Sequence, residues 1–203
     1  MGPAGPTLVE VLEEARARGF LGPGAVTDHL DHARAFLDAA PPPTTALDLG
    51  SGAGIPGLAL ALAWGGSTWA LVEANGRRAR FLVEAAARLG LEERVEVWAE
   101  RAEVLGREPE RRAGRDLAVA RSFGPPAVTA ECAAPFLSLG GSLAVSEPPE
   151  AGGHRWPEAG LAQLGLRAVG VVGGDARVMV LRQERLCPTR FPRRAPAKRL
   201  LFA

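Results

Sequence analysis

A chain of 203 residues, 47% of them apolar, can bury one substantial core but is too short for two full-sized domains and their linkers. Its 24 basic and 23 acidic residues leave a net charge of +1, so overall charge gives no argument for a polyanionic partner. The longest apolar stretch, residues 55–64, is about half a membrane span and is interrupted by Pro56 and Gly57, so no transmembrane helix is predicted.

At the N-terminus, Thr7 and Glu10 are spaced as a capping box. Leu8, Val11, Leu12 and Ala15 follow at helical spacing, and Gly19 ends the segment. A second helix is expected to begin at Thr27, with Leu30, Ala33 and Leu37 on one face, and to stop before Pro41, Pro42 and Pro43. From residue 46 onward, short apolar runs alternate with helical patterns, the signature of a parallel sheet covered by helices. The predicted strands are residues 46–49, 68–73, 95–98, 117–120 and 142–146. The clearest helix is 77–89, with Phe81, Leu82, Ala85 and Leu89 inward and Gly90 as its stop. Residues 167–172 and 177–182 flank Gly173-Gly174-Asp175 and read as an antiparallel hairpin. The chain thus divides into a helical segment with a proline linker (1–43), an α/β domain (44–184) and a basic tail (185–203). The tail holds Arg185, Arg190, Arg193, Arg194, Lys198 and Arg199 and no acid. It reads either as an RNA-contacting segment or as a solvated end.

Cys132 and Cys187 lie far apart and form no Cys-x-x-Cys pair, which argues against a disulfide framework or zinc knuckle and fits a reducing cytoplasm. No positively charged start followed by an apolar run marks the N-terminus for export. His29 and His32 share a helix face, but the sequence places no third ligand beside them, so a structural or substrate-side role is expected and no metal. Lys198 is the only lysine; a charge carried by arginine suits phosphate contacts and equally follows from codon usage.

The segment with most chemical content is Asp48-Leu49-Gly50-Ser51-Gly52-Ala53-Gly54-Ile55-Pro56-Gly57, directly after the first strand. Glycine suits it because the chain turns sharply there and a Cβ would block approach of a ligand to the backbone. Asp48-x-Gly50-x-Gly52-x-Gly54 is the S-adenosylmethionine pattern, whereas Gly52-x-Gly54-x-x-Gly57 satisfies the dinucleotide fingerprint. Glu73 closes the second strand where an acid can accept hydrogen bonds from ribose hydroxyls, in either case. Pro56 is tolerated only at a helix's first turn, so the helix starts late and the first alignment is favoured. The terminal hairpin favours it too: a mostly parallel sheet ending in an antiparallel hairpin resembles the class I methyltransferases.

With Arg101-Ala102-Glu103, Ala120-Arg121-Ser122-Phe123, Pro135-Phe136-Leu137 before Gly140-Gly141, and the tail Arg190-Phe191-Pro192-Arg193-Arg194, the loop resembles the RsmG (GidB) family across roughly residues 26–203. The resemblance implies a Rossmann-like α/β fold, a mostly parallel seven-stranded sheet with helices on both faces. It also implies methylation of a guanine 7-position in small-subunit ribosomal RNA by a cytoplasmic monomer using S-adenosyl-L-methionine. It assigns Asp48, Gly50, Ser51, Gly52, Gly54, Ile55, Glu73, Ala74, Ala102, Glu103 and Arg121 to the cofactor. Gly50 and Ile55 would line its methionine side, Glu73 hold the ribose, and Ala102 and Glu103 meet the adenine. Arg121 would sit beside methyl transfer, and Arg190, Arg193, Arg194, Lys198 and Arg199 would meet RNA. Guanine's 7-position already has an in-plane lone pair, so no general base is expected.

Two departures bear on the substrate. The segment before Val26 is shorter than the family's helical N-terminus, and Ser146-Glu147-Pro148-Pro149 stands where the family has a lysine and glycine. Glu147 is expected to oppose an RNA phosphate. A small-molecule methyltransferase and a non-catalytic cofactor-binding module are therefore the alternative readings. The structural alternative for Arg121 is an ion pair with an acid such as Asp116.

Overall fold

The computed structural model describes residues 6–148 and 155–202; Pro149 and Ala203 lie outside them. The strands are β1 (Thr45–Leu49), β2 (Thr68–Val72), β3 (Val95–Trp98), β4 (Arg115–Ala120), β5 (Leu137–Glu147), β6 (Leu166–Val172) and β7 (Arg177–Gln183). They form one sheet in the order β3-β2-β1-β4-β5-β7-β6. β1 to β5 pair in parallel, whereas β7 runs antiparallel to both β5 and β6. The sheet grows outward from β1 to β3 and then returns to the other side of β1 with β4. This leaves the carboxyl ends of β1 and β4 side by side at the switch point where ligands of open α/β sheets bind.

Near-continuous apolar runs make these strands because both faces are covered. On β1, Ala46 belongs to one core layer and Leu47 and Leu49 to the other, so period-two alternation turns Asp48 toward the Ala46 side. That layer is completed by α1 (Leu8–Ala17), α2 (Val26–Ala39), α3 (Gly57–Ala63) and α4 (Gly76–Arg88), which contribute Leu12, Phe36, Leu58 and Phe81. The other layer holds α5 (Ala102–Leu105), α6 (Pro126–Ala133) and α7 (Glu158–Leu164), together with Phe136 and the tail residue Phe191.

The Thr7 capping box forms as the spacing predicts: Thr7 N donates to Glu10 Oε2 at 2.7 Å and Glu10 N to Thr7 Oγ1 at 3.4 Å. α2 begins one residue earlier than expected because Asp28 reaches back to the Ala25 amide at 3.3 Å, so Thr27 lies inside the first turn. β5 begins at Leu137, five residues before the predicted 142. Gly140 and Gly141 read as a break, but the sheet uses them as an irregularity, with the register shifting between Arg115 and Leu117. A Cβ on Gly141 would lie 2.8 Å from the Arg115 carbonyl oxygen. Among the described residues no helix is long and apolar enough to cross a membrane.

Candidate functional site

β1 ends at Leu49 and the chain turns at once through Gly50, whose φ is +73°. The Gly50 and Ser51 amides both donate to the Val72 carbonyl at 2.9 Å. A Cβ on Gly50 would lie 2.6 Å from the Phe123 ring, so backbone conformation and close packing both require glycine there. Ser51 Oγ donates to the Asp48 carbonyl at 3.0 Å, and the Gly57 amide at the start of α3 donates to Asp48 Oδ2 at 3.1 Å. Glu73 ties the far side of the loop: its Oε2 accepts from Gly52 N at 2.9 Å and its Oε1 from Asn75 N at 2.7 Å.

Burial pushes the Asp48 carboxyl up to about 7, against the pull of the Gly57 amide. The folded protein therefore keeps a proton that the unfolded chain has lost above about pH 4. The Asp48 contribution to stability is greatest below that pH, falls as the pH rises toward 7, and levels off above it. Asp48→Asn is expected to remove this slope, on the order of 2 kcal/mol between pH 5 and 7.5, in urea unfolding at the two pH values. An unchanged slope would place the titration elsewhere.

Two cavities open at this edge of the sheet. One, of about 530 Å³, is lined by Gly50, Ala74, Ala102, Glu103 and Val128 and, on its outer side, by Arg194 to Lys198 of the tail. The other, of about 570 Å³, is lined by His29, His32, Arg121, Glu147 and Trp156. Phe123 and Gly124 line both. Of the residues the sequence singles out, Gly50, Ala74, Ala102 and Glu103 thus share the first cavity with Arg194 and Lys198, and Arg121 faces the second. Asp48, Ser51, Gly52, Gly54, Ile55 and Glu73 are among the lining residues of neither cavity. Glu103 is buried and pairs with Arg101 at 2.6 Å.

Arg121 does not pair with Asp116, whose Oδ2 accepts instead from the Thr44 and Thr45 amides at 3.1 and 2.9 Å. Its guanidinium reaches α2, donating to the His29 carbonyl at 3.3 Å and to His29 Nδ1. A guanidinium can only donate, so Nδ1 is the acceptor and the proton sits on Nε2, which donates to the Gly22 carbonyl at 3.3 Å. Burial, reinforced by the Arg121 charge, lowers the His29 pKa from its ordinary value and agrees with this neutral tautomer. His32 Nδ1 is bonded to the Asp28 carbonyl at 2.7 Å. Among the described residues no cluster of three His, Cys, Asp or Glu side chains is placed to hold a metal. Burial also lowers the Arg121 pKa, opposed by the Asp48 charge. Immediately after Arg121, Ser122 is held at φ +54°, a costly conformation for a non-glycine residue and one that clusters at functional sites.

Glu147 does not present a free charge to a phosphate. It is buried, with Oε2 accepting from Arg155 at 2.8 Å and Oε1 from Trp156 Nε1 at 3.0 Å, so its charge is compensated inside the cavity wall.

The tail is docked and not a solvated end. Arg112 donates to the carbonyls of Gly106 (2.6 Å), Cys187 (2.7 Å), Pro188 (3.3 Å) and Phe191 (2.7 Å). The Arg193 guanidinium holds the wholly buried Glu131 carboxylate through Nε at 2.8 Å and Nη2 at 2.5 Å, and the Arg193 amide also donates to it at 2.8 Å. Arg190, Arg194, Lys198 and Arg199 remain exposed. The Arg112 and Glu131 anchors carry no local sequence signal, because each acts through a partner distant in the chain; Phe123 lies in a segment the sequence singles out, but its place as the shared wall is set by packing against Gly50.

A dinucleotide-binding half keeps its strands parallel, whereas here the last strand of the chain inserts in reverse beside β5. That sheet is the architecture of the class I methyltransferases, enzymes that use S-adenosylmethionine. Solved structures of similar fold include a putative O-methyltransferase from Klebsiella pneumoniae (TM-score 0.61, 15% identity, covering 90% of this chain and 91% of that one). Another is the T. thermophilus 16S rRNA N2 methyltransferase RsmC in complex with AdoMet and guanosine (TM-score 0.54, 21% identity, 78% of this chain and 40% of that one).

The sequence narrows the class to one family: residues 24–146 match the model for GidB, rRNA small subunit methyltransferase G, and the chain belongs to that family. Its relatives include the ribosomal RNA small subunit methyltransferase G of Prochlorococcus marinus (strain MIT 9313), 36% identical over 181 residues, which cover 83% of this chain and 71% of the relative. The enzyme of that name from Moorella thermoacetica is 33% identical over 178 residues, covering 79% and 71%.

Proposed function

We propose that this chain methylates a guanine 7-position in small-subunit ribosomal RNA, acting as a cytoplasmic monomer. The observation that carries the reading is the meeting of the two cavities at Phe123 and Gly124, with the glycine loop on one side and Arg121 on the other.

The first cavity suits an S-adenosyl group. It has the volume for one, its walls at Ala74, Ala102 and Val128 are apolar, and a Cβ on Gly50 would force Phe123 out of place. Gly50, Ala74, Ala102 and Glu103 would hold that cofactor, with Glu73 offering its remaining carboxylate lone pairs to ribose hydroxyls. Bound there, S-adenosylmethionine supplies an electrophilic sulfonium methyl group.

The second cavity would take the guanine. Its acceptor edge, O6 and N7, matches the planar donor fork of Arg121. His29 holds that fork from behind, and Phe123 forms the partition between the sites. Because the 7-position carries its own lone pair, the protein has only to align and to exclude water. Exposed Arg190, Arg194, Lys198 and Arg199 of the tail offer phosphate contacts outside the first cavity. The small-molecule reading drew on Glu147 and on the short segment before Val26; with its carboxylate engaged by Arg155 and Trp156, Glu147 lends it no support.

Incubating the purified protein with methyl-labelled S-adenosylmethionine and small ribosomal subunits tests the proposal. It predicts label in 16S RNA that digests to 7-methylguanosine. Label in another nucleoside, or none with either subunits or naked RNA, would contradict it.

A further inference from the structure

The tail residues that line the first cavity form a span between two anchors. On one side, Glu131 of α6 holds Arg193, with Arg112 fixing the chain just before it. Glu131 is 0% exposed, so its carboxylate is available to the tail and to nothing in solvent. On the other side, the Phe202 ring lies directly on Gly160 of α7, at a place where any Cβ would collide with it. Between these points Arg194, Ala195, Pro196, Ala197 and Lys198 form the outer wall of the cavity whose inner wall holds Gly50, Ala102 and Glu103. A short 3-10 turn at Pro196–Lys198 keeps this span compact.

We propose that the span is a strap that completes the cofactor site, and that Glu131 is a positioning residue which sets how tightly S-adenosylmethionine is retained by fixing the strap through Arg193. The inference rests on the first cavity being the cofactor's. It adds that residues read from sequence as RNA contacts, Arg194 and Lys198 in particular, also enclose the cofactor. An oriented carboxylate–guanidinium pair with two parallel bonds gives a latch of defined geometry, in contrast to a single point charge. The middle of the strap is exposed at Arg194, Ala195, Ala197 and Lys198, so it can lift for exchange while its ends stay anchored. Closure over a bound ligand removes water from one side of it and slows its escape.

Calorimetric titration of the full-length apoprotein with S-adenosylhomocysteine tests this, using wild type, Glu131→Gln and Phe202→Ala. The proposal predicts that Glu131→Gln binds at least tenfold more weakly and Phe202→Ala at least threefold, each with a stoichiometry near one. With ribosomal subunits as substrate, KM for S-adenosylmethionine rises in parallel while kcat at saturating cofactor changes less than twofold. A purely structural role for Glu131 would instead lower the stoichiometry and kcat and leave the affinity of the folded fraction unchanged, and that result overturns the proposal. If Glu131→Gln fails to fold, Phe202→Ala decides alone, because it releases the far anchor without disturbing the Glu131–Arg193 pair; affinity within twofold of wild type then refutes the strap. Wild type that fails to bind S-adenosylhomocysteine overturns the cofactor reading and the strap together, whereas normal wild-type binding with unaffected variants overturns only the strap.

Discussion

Glu73→Ala is expected to weaken S-adenosylhomocysteine binding by about a hundredfold or more, roughly 2.7 kcal/mol, in calorimetric titration. The carboxylate accepts one backbone amide on each oxygen, Gly52 on one side and Asn75 on the other, and its side chain is almost wholly buried. Removing it strands two amides, each costing about 1–3 kcal/mol when left without a partner. The glycine loop then loses the tie that fixes it against β2, and, in the proposed cofactor site, the ribose would lose its acceptor. Glu73→Gln should recover only part of the loss. Its amide nitrogen would face either the Gly52 or the Asn75 N–H, donor against donor, so one of the two ties is lost whichever way the group is turned. Affinity within threefold of wild type in both variants would show that Glu73 supports the loop without contributing to the cofactor site.

Arg121→Ala should separate the two cavities functionally. Arg121 lines the second and not the first, so S-adenosylhomocysteine affinity should change less than threefold while kcat with ribosomal subunits falls about a hundredfold, in the range seen when one oriented donor at a reacting centre is lost. Arg121→Lys should recover little. An ammonium is a point donor and cannot reproduce the fork that meets both the carbonyl and Nδ1 of His29. Arg121→Ala has a spectroscopic signature: with the Arg121 charge gone, burial remains the main cause that depresses His29, with a smaller push from His32. The His29 imidazole should then titrate closer to the ordinary value in an NMR pH series. If kcat is retained, or if the cofactor affinity collapses instead, Arg121 belongs with the cofactor and not with methyl transfer.

Much of this architecture is legible locally. The Thr7–Glu10 box, the apolar runs of β1 to β4, the glycine turn, the acid after β2 and the hairpin at Gly173 each lie within a short window, and local pattern locates them to within a residue or two. The start of β5 is not legible, because Gly140 and Gly141 carry the same signal whether they end a strand or bend one. Which of those applies depends on the Arg115 carbonyl more than twenty residues away.

Charge was the least readable property. Glu147 and Arg193 look like opposing entries for RNA binding when read along the chain, one against and one for. Folding gives each a partner, Arg155 and Glu131 respectively, and leaves neither free to act as a lone charge. Arg121 shows the reverse case. Asp116 is near it in sequence but faces the Thr44 and Thr45 amides, while its actual partner, His29, lies 92 residues away on α2. α2 thus supplies the residue that holds Arg121.

The most direct test of the whole account is the methylation state of 16S ribosomal RNA in a host from which this gene has been deleted. Nuclease digestion and mass spectrometry should show the loss of one 7-methylguanosine, its return on expression of the wild-type chain, and no return on expression of Glu73→Ala. An unchanged 7-methylguanosine content in the deletion strain would contradict the proposed activity.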